Sequence, residues 1–359
     1  MDVILLTVLV FIGLLLAVVL VHELGHFMAA KRAGCRVEEF GFGFPPKVWS
    51  IKRGETEYSF NLLPIGGFVR IEGEDMENDN PGPRSFATKS TGWRVLILSA
   101  GVIMNVVLAW VLLSTQSILG VPVIVDENNT QELTNFQTYI TGVGDKSPAE
   151  EAGLKSLDRI VSIDGIASPS ITEVQETINK SRGPVQITVN RQGMEEKVTV
   201  MPRENPPEGQ GKLGVELTST GLVRYPWWTA PWQGLVRTGE MLTAITKQFG
   251  IILGRLFTGQ GGTLDLAGPV GIAVYTKEAT SLGWGYVLEF GALISLNLAI
   301  INILPLPALD GGRILFVLLE KIRGKRVAVN IERRTHAIGF ILLIGLMLII
   351  TFKDIQKFW

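Results

Sequence analysis

Four long apolar segments divide the chain. They lie at residues 3–21, 95–113, 290–309 and 335–352. Neither of the first two contains a charged residue, and nineteen residues rising about 1.5 Å each cross roughly 29 Å, the thickness of a bilayer core. A cleaved signal peptide would begin with positive charge and have a shorter apolar core, whereas the only charge before the first segment is Asp2. The pattern predicts four transmembrane helices.

The third apolar segment differs from the others in its polar and helix-breaking residues. It carries Asn302, and Pro305 and Pro307 lie close to its end, just before Asp310-Gly-Gly. The prolines must interrupt helical hydrogen bonding, and the glycines allow close approach of the backbone. Irregular backbone within a membrane usually lines a cavity. The end of the third span is therefore a candidate functional site.

Lysine and arginine predict the orientation of the spans. Ten of them lie in the loop 27–94 and six more at 321–334, after the third span, so both regions are expected to be cytoplasmic. The stretch 114–289 and both termini would then be extracytoplasmic. The single cysteine, Cys35, cannot form an internal disulfide. A formal net charge of -1 gives no indication of a nucleic-acid partner.

The first span ends in the sequence H-E-L-G-H. His22 and His26 stand at i and i+4, which places both imidazoles on one face of a helix, about 6 Å apart, as two ligands of one zinc ion require. Glu23 lies where a carboxylate can accept a proton from water at the metal, as in H-E-x-x-H metalloproteases. The alternative is a chance pair of interfacial histidines at the end of a span.

A catalytic zinc site usually has three protein ligands, so a third is needed. Asp310 is the stronger candidate, because a carboxylate embedded in apolar sequence must pair or bind something. The alternative for Asp310 is an interfacial ion pair with Arg313. The third histidine, His336, follows Arg333 and Arg334 at the start of the fourth span, and we expect it to lie at the level of the lipid headgroups.

Several motifs together resemble the site-2 protease family of intramembrane metalloproteases (peptidase M50). They are H-E-L-G-H at 22–26, N-I-L-P-L-P-A-L-D-G-G at 302–312, G-F-G-F at 41–44, P-I-G-G-F-V at 64–69 and A-G-P-V-G-I at 267–272. With a PDZ-like insert, they look like the bacterial branch that includes the regulator of sigma-E protease. Some members of that branch carry two PDZ domains, and this chain has room for one.

The resemblance implies a role for each residue of the motifs. His22, His26 and Asp310 would hold one zinc ion per chain, and Glu23 would be the catalytic acid and base. Asn302 would contact the substrate backbone or the developing oxyanion, beside Pro305 and Pro307 as further substrate-binding residues. A membrane-embedded asparagine can also join helices, and this is the role that we expect for Asn105 and Asn297.

The sequence predicts a polytopic α-helical membrane protein with a membrane-associated β-hairpin and an inserted α/β PDZ domain. We expect spans one and two with the hairpin region (about 38–71) in residues 1–120, the PDZ domain in 121–222, an amphipathic interfacial helix and linker in 223–288, and spans three and four in 289–359. The hairpin edge could hold an unwound substrate as an added strand; its alternative is a soluble cytoplasmic hairpin. The PDZ domain either binds a peptide or only occludes the entrance.

These features predict an intramembrane zinc protease of the bacterial inner membrane, with its active site near the cytoplasmic side. Its expected substrates are single-span membrane proteins such as anti-sigma factors or remnant signal peptides. One rival is a PDZ scaffold with a structural zinc ion, against which the intact Glu23 argues. A metal transporter would need more carboxylates or histidines along a path through the membrane.

Overall fold

A computed structural model describes residues 3–74, 82–124, 134–191, 193–207, 209–257, 267–325 and 327–358. The chain divides into two compact units. The first comprises Met1–Thr115, Pro231–Thr280 and Val287–Trp359, and the second comprises Gln116–Ala230 and Ser281–Tyr286.

The helices account for all four predicted spans. In the described residues they are α1 (Val3–Arg32), α2 (Thr91–Leu119), α3 (Pro148–Glu151), α4 (Ile171–Lys180), α5 (Ala230–Phe257), α6 (Pro269–Leu282), α7 (Trp284–Ile303), α8 (Asp310–Arg323) and α9 (Val329–Phe358). Four of them, α1, α2, α7 and α9, are long and apolar enough to cross a membrane. The prediction of a polytopic membrane protein with four spans is confirmed.

The first span extends eleven residues beyond the apolar run, and its end has an identifiable cause. Gly34 adopts φ 71°, a left-handed conformation that ends helices, and the amide of Cys35 returns to the carbonyl of Ala30 at 2.9 Å. The last turn carries Lys31 and Arg32, which suit the negative end of the helix. The H-E-L-G-H motif therefore lies within a continuous helix.

The third span is shorter than the predicted segment 290–309. Helix α7 ends at Ile303, and residues 304–309 form a loop before α8 begins at Asp310. Pro305 and Pro307 have no amide hydrogen and cannot continue the helical ladder. Asp310 is thereby placed in the first turn of a new helix, where the positive end of the helix dipole favours a carboxylate.

Helix α5 packs on the bundle through its apolar face. Its residue Ile245 joins one hydrophobic cluster with Ala109 and Leu113 of α2 and Leu296 of α7, and the Trp110 indole donates to the carbonyl of Pro231 at 2.8 Å. It is not one of the four candidate spans. The position of α5 at the membrane surface stays a prediction. The packing shows that α5 contacts two helices, α2 and α7.

The predicted hairpin is a sheet of four antiparallel segments, because both of its strands fold back. The strands are β1 (Val37–Arg53) and β2 (Thr56–Ile71). The second half of β1 forms one edge of the sheet and pairs with the first half of β2. The first half of β2 also pairs with residues 37–42. Residues 67–71 pair with residues 37–42 and form the other edge. The strand at 37–42 was not predicted. Its pairing brings the two ends of the hairpin region together.

The sheet is attached to the helices by a buried apolar cluster and by charged contacts. The cluster joins Val37 and Ile71 of the sheet to Ile97 of α2 and Val317 of α8. At the hairpin turn, hydrogen bonds from Arg84 and from Lys31 hold the pKa of the Glu55 carboxyl at about 2. The carboxylate is therefore charged at neutral pH, and the turn is held beside the end of α1.

The second unit is an antiparallel sheet with two short helices. The strands are β3 (Val121–Ile124), β4 (Thr134–Val143), β5 (Arg159–Ile163), β6 (Ile166–Ala167), β7 (Val185–Arg191), β8 (Met194–Val200) and β9 (Val215–Val223). Their order is β3-β9-β4-β5-β7-β8, with β6 beside β5. The core packs Val174 and Ile178 of α4 against Ile163 and Ile187 of the sheet. Ser170 and Glu173 form a capping box that begins α4.

Candidate metal centre

The structure brings His22, His26 and Asp310 to one point. The two imidazole Nε2 atoms lie 3.2 Å apart, and Asp310 Oδ2 lies 3.2 Å from the first and 3.4 Å from the second. Both histidines are buried, with exposed fractions of 6% and 9%. Within the described residues these three side chains form the one group with the spacing of metal ligands.

The separation of these atoms fits a zinc ion. Ligands about 2.0–2.1 Å from a tetrahedral zinc ion lie about 3.3–3.4 Å from one another. Asp310 Oδ2 is buried, and among the described residues no donor forms a hydrogen bond to it. A buried carboxylate oxygen that faces two imidazole nitrogens at this distance, with no donor of its own, is suited to a shared cation.

The Nδ1 atoms of both histidines, which face away from the metal centre, have hydrogen-bonding partners on α2. His26 Nδ1 lies 2.8 Å from the carbonyl of Ile97, so this nitrogen carries the proton and leaves the Nε2 lone pair for a metal. His22 Nδ1 lies 3.3 Å from the side-chain amide of Asn105, which is fully buried. Such contacts orient metal-binding imidazoles and fix their tautomers. Asn105 was expected mainly to join helices.

The close approach of α2 to the two histidines requires a glycine. A methyl group on Gly101 would overlap the His26 Nε2 atom and would lie 2.6 Å from His22 Cε1. Only a residue without a side chain leaves room for both rings at this crossing. Helix α2 thus forms the rear wall of the metal centre.

Glu23 faces a cavity of about 400 Å³ beside the three candidate ligands. The cavity is lined by residues of α1, of the last segment of β2 and the turn after it, and of the loop before α8 with the start of α8: His22, Glu23, His26, Gly67, Phe68, Val69, Ile71, Glu74, Ala308, Leu309, Asp310 and Arg313. The β2 backbone is close, since a methyl group on Gly67 would lie 3.0 Å from Glu23 Cγ. The Glu23 carboxylate and the edge of β2 at residues 67–69 therefore line the same cavity.

The candidate substrate-binding residues occupy different places. Asn302 reaches the centre, with its Nδ2 atom 3.3 Å from His22 Nε2. Pro305 is exposed and Pro307 half-buried; neither they nor Asn302 belong to the described lining of the cavity. Asn297 donates to the carbonyl of Leu293 within its own helix at 2.8 Å.

Two sequence-based alternatives are changed by the structure. Arg313 forms an ion pair with Glu74, whereas Asp310 faces the two histidines, so the alternative of an Asp310–Arg313 pair has no support. His336, expected at headgroup level, accepts a hydrogen bond from the Ala308 amide at 2.9 Å. The residue that His336 contacts, Ala308, lies two positions before Asp310 in the chain.

Four candidate spans with the two histidines of H-E-x-x-H and a distant aspartate at one point define a polytopic membrane metallopeptidase. The sequence profile of peptidase family M50 matches residues 10–346. The chain belongs to peptidase family M50.

Curated relatives match the chain over nearly its whole length. Zinc metalloprotease RasP of Geobacillus kaustophilus is 35% identical, with 96% of each chain covered. Putative zinc metalloprotease CPE1693 of Clostridium perfringens is 35% identical, covering 94% of this chain and 95% of the relative. Regulator of sigma-W protease RasP of Bacillus subtilis is 30% identical, with 98% of each covered. The predicted family, the enzyme class of zinc metalloprotease and the zinc cofactor are confirmed.

Proposed function

We propose that this protease hydrolyses peptide bonds within or near the transmembrane segments of single-span membrane proteins. The observation that carries the proposal is the position of His22, His26 and Asp310, whose ligand atoms converge between α1 and the start of α8. Helix α1 is itself a candidate span, and α8 follows another, α7. A hydrolytic site there can reach a scissile bond that an aqueous protease cannot.

His22, His26 and Asp310 are assigned as the zinc ligands. Bound zinc supplies Lewis acidity for the scissile carbonyl and makes water more acidic. Glu23 lies in the same cavity as the ligands and takes the proton from the attacking water, then delivers it to the departing amine. Asn302, within hydrogen-bonding distance of the centre, is assigned to the substrate carbonyl. Pro305 and Pro307 shape the loop beside it.

The last segment of β2 is proposed to hold the substrate as an added strand. Residues 67–71 pair with β1 on one side, and within the described residues their other side has no strand partner. Gly67, Phe68 and Val69 line the cavity. A transmembrane substrate must lose its helical hydrogen bonds before cleavage, and a strand edge replaces them. The exposed Trp49 of β1 and Leu62 of β2 support membrane association of the sheet.

The second unit is assigned as an extracytoplasmic PDZ domain in the expected range 121–222. Helix α4 lies against β9, and among the described residues Val215–Ser219 pair with β4 alone. An open strand edge beside a helix can bind a peptide or a chain terminus. A domain that only occludes the entrance is the alternative.

The proposed substrate class is supported by the name of one relative and by the predicted location. The Bacillus subtilis relative is named a regulator of sigma-W protease, which supports anti-sigma factors as substrates here, with remnant signal peptides as a second group. The site would lie near the cytoplasmic side of the bacterial inner membrane, with both termini outside. This orientation rests on the lysine and arginine residues of the loop 27–94.

Two substitutions test the proposed site. Purified Glu23→Gln protein should keep its zinc and lose cleavage of a single-span substrate, because the amide cannot accept the proton. Asp310→Ala should lose zinc, measured as metal per chain. Wild-type turnover by Glu23→Gln would contradict the mechanism, and unchanged zinc content in Asp310→Ala would remove this residue from the site. A non-proteolytic PDZ scaffold would tolerate Glu23→Gln without any change in the cell.

A further inference from the structure

The loop between α7 and α8 depends on a side chain of α9 for one of its amide groups. Two of its six residues, Pro305 and Pro307, have no amide hydrogen. The amides of Leu304, Leu306 and Leu309 donate to carbonyls of α7 or of the loop itself. The amide of Ala308 donates to His336 Nδ1 at 2.9 Å. An amide that is removed from water and has no acceptor is costly.

The conformation of the loop at this point is an unusual one. Ala308 adopts φ 72°, a left-handed conformation that residues with a side chain rarely take and that surrounding contacts must maintain. Asp310 follows two residues later, and the Leu309 carbonyl accepts from the amides of Gly312 and Arg313. A change at Ala308 would therefore alter the position at which α8 begins.

Helix α9 also contacts this loop through its backbone. A methyl group on Gly339 would overlap Pro307, and Gly339 stands three residues after His336, on the same face of the helix. The imidazole also packs against Phe316 of α8, with the ring centroids 5.7 Å apart. One face of α9 thus touches the loop at Pro307 and Ala308 and the helix that Asp310 begins.

We propose that His336 is a positioning residue for Asp310. Its Nδ1 atom accepts the Ala308 amide, so the ring is neutral with its proton on Nε2. It holds the loop in the conformation that directs the Asp310 carboxylate at the two histidines. This inference rests on the proposed metal site, and it assigns to the fourth span a part in metal binding.

Two substitutions at His336 separate hydrogen bonding from packing. His336→Phe keeps a ring against Phe316 and removes the acceptor, whereas His336→Asn removes the ring and keeps an acceptor oxygen close to the position of Nδ1. Ile338→Ala, at a side chain of α9 that is 60% exposed, is the matched control. Zinc affinity is measured on the purified full-length protein in detergent by competition with a chelator, beside kcat and KM for a single-span substrate.

His336→Phe should weaken zinc binding by about 10–100-fold, the usual effect of losing a partner that orients a metal ligand. The kcat should fall with little change in KM, and His336→Asn should restore zinc affinity to within a few-fold of the wild type. Equal zinc affinity in His336→Phe and the wild type would overturn the inference, as would equal losses in the Phe and Asn variants. Should His336→Phe fail to fold, His336→Leu replaces it as the variant without an acceptor.

Asp310→Ala distinguishes a failure of this inference from a failure of the proposed site. If Asp310→Ala loses zinc and His336→Phe binds it as the wild type does, only the role of His336 is wrong. If Asp310→Ala keeps its zinc, the assignment of the metal site is wrong, and the role of His336 fails with it.

Discussion

At the scale of single residues, the two histidines of the metal centre are held by different means. His26 is oriented by a backbone carbonyl, that of Ile97, which no substitution can remove. His22 is oriented by a side chain, that of Asn105. If zinc binds His22 Nε2, the proton is on Nδ1, and the amide oxygen of Asn105 must face it. In the structure Nδ2 of this amide faces His22 Nδ1, and Oδ1 is buried without a hydrogen bond among the described residues. Exchanging the two amide atoms gives Oδ1 the proton of His22 Nδ1.

Asn105→Leu should therefore weaken zinc binding by about 10–100-fold, because His22 loses the acceptor that fixes its tautomer and its ring orientation. Asn105→Asp should retain zinc affinity, since a carboxylate oxygen accepts the same proton. Chelator competition on the purified variants measures both. If the Leu variant binds zinc as tightly as the wild type, Asn105 only joins helices, as the sequence had indicated.

The metal ligands could be predicted from the sequence, but their supporting residues could not. The i, i+4 spacing identifies His22 and His26, and the broken apolar run identifies Asp310. Asn105 lies 83 positions from His22, and His336 lies 28 positions from Ala308. Contacts of this kind depend on how helices cross, and a single buried asparagine or histidine has no periodic pattern that would reveal its partner.

At the scale of the elements, one buried ion pair joins α2 to α8. Arg94 donates to Glu320 at 2.7 Å, and both side chains are more than nine-tenths buried. The same carboxylate accepts the amide of Val327 at 3.3 Å. Since α8 begins with Asp310 and α2 contacts both histidines, this pair fixes the two walls of the metal centre relative to each other.

Removal of one partner should destabilise the protein more than removal of both. Arg94→Met leaves a buried carboxylate without its partner and should cost about 3–5 kcal/mol, whereas Arg94→Met with Glu320→Met should lose much less. Thermal unfolding in detergent measures the difference. Lys180→Met, in an exposed pair with Glu176, is the control and should have little effect. A double variant as unstable as the single one would show that the pair itself holds the helices.

The elements were predicted with unequal success. Helix α4 and strands β5 and β7 lie within the range 121–222 that was expected to form one α/β domain. Helix α6 was not expected. Residues 37–42 lie within the expected hairpin region of about 38–71, but they were not expected as a separate strand, because V-E-E-F-G-F does not alternate strictly between apolar and polar residues. The folded pairing of β1 and β2 depends on contacts with α1 and α2, which no local pattern contains.

At the scale of the whole molecule, the orientation in the membrane can be tested with single cysteines. Cys35 is fully buried and should not react with a membrane-impermeant maleimide. Lys197→Cys, in the proposed PDZ domain, should be labelled in cells with a permeabilised outer layer and an intact inner membrane. Lys52→Cys, in the sheet, should be labelled only after the inner membrane is opened. The reverse pattern would invert the proposed topology.

The proposed metal centre joins residues from the beginning of the chain and from near its end. His22 and Asn302 are 280 positions apart, so a ribosome adding about 5–20 residues per second needs roughly 15–55 s to pass from one to the other. During that time α1 is already made, and the aspartate that would complete the site does not yet exist. A nascent chain that has not yet reached Asp310 therefore carries an incomplete metal centre into the membrane.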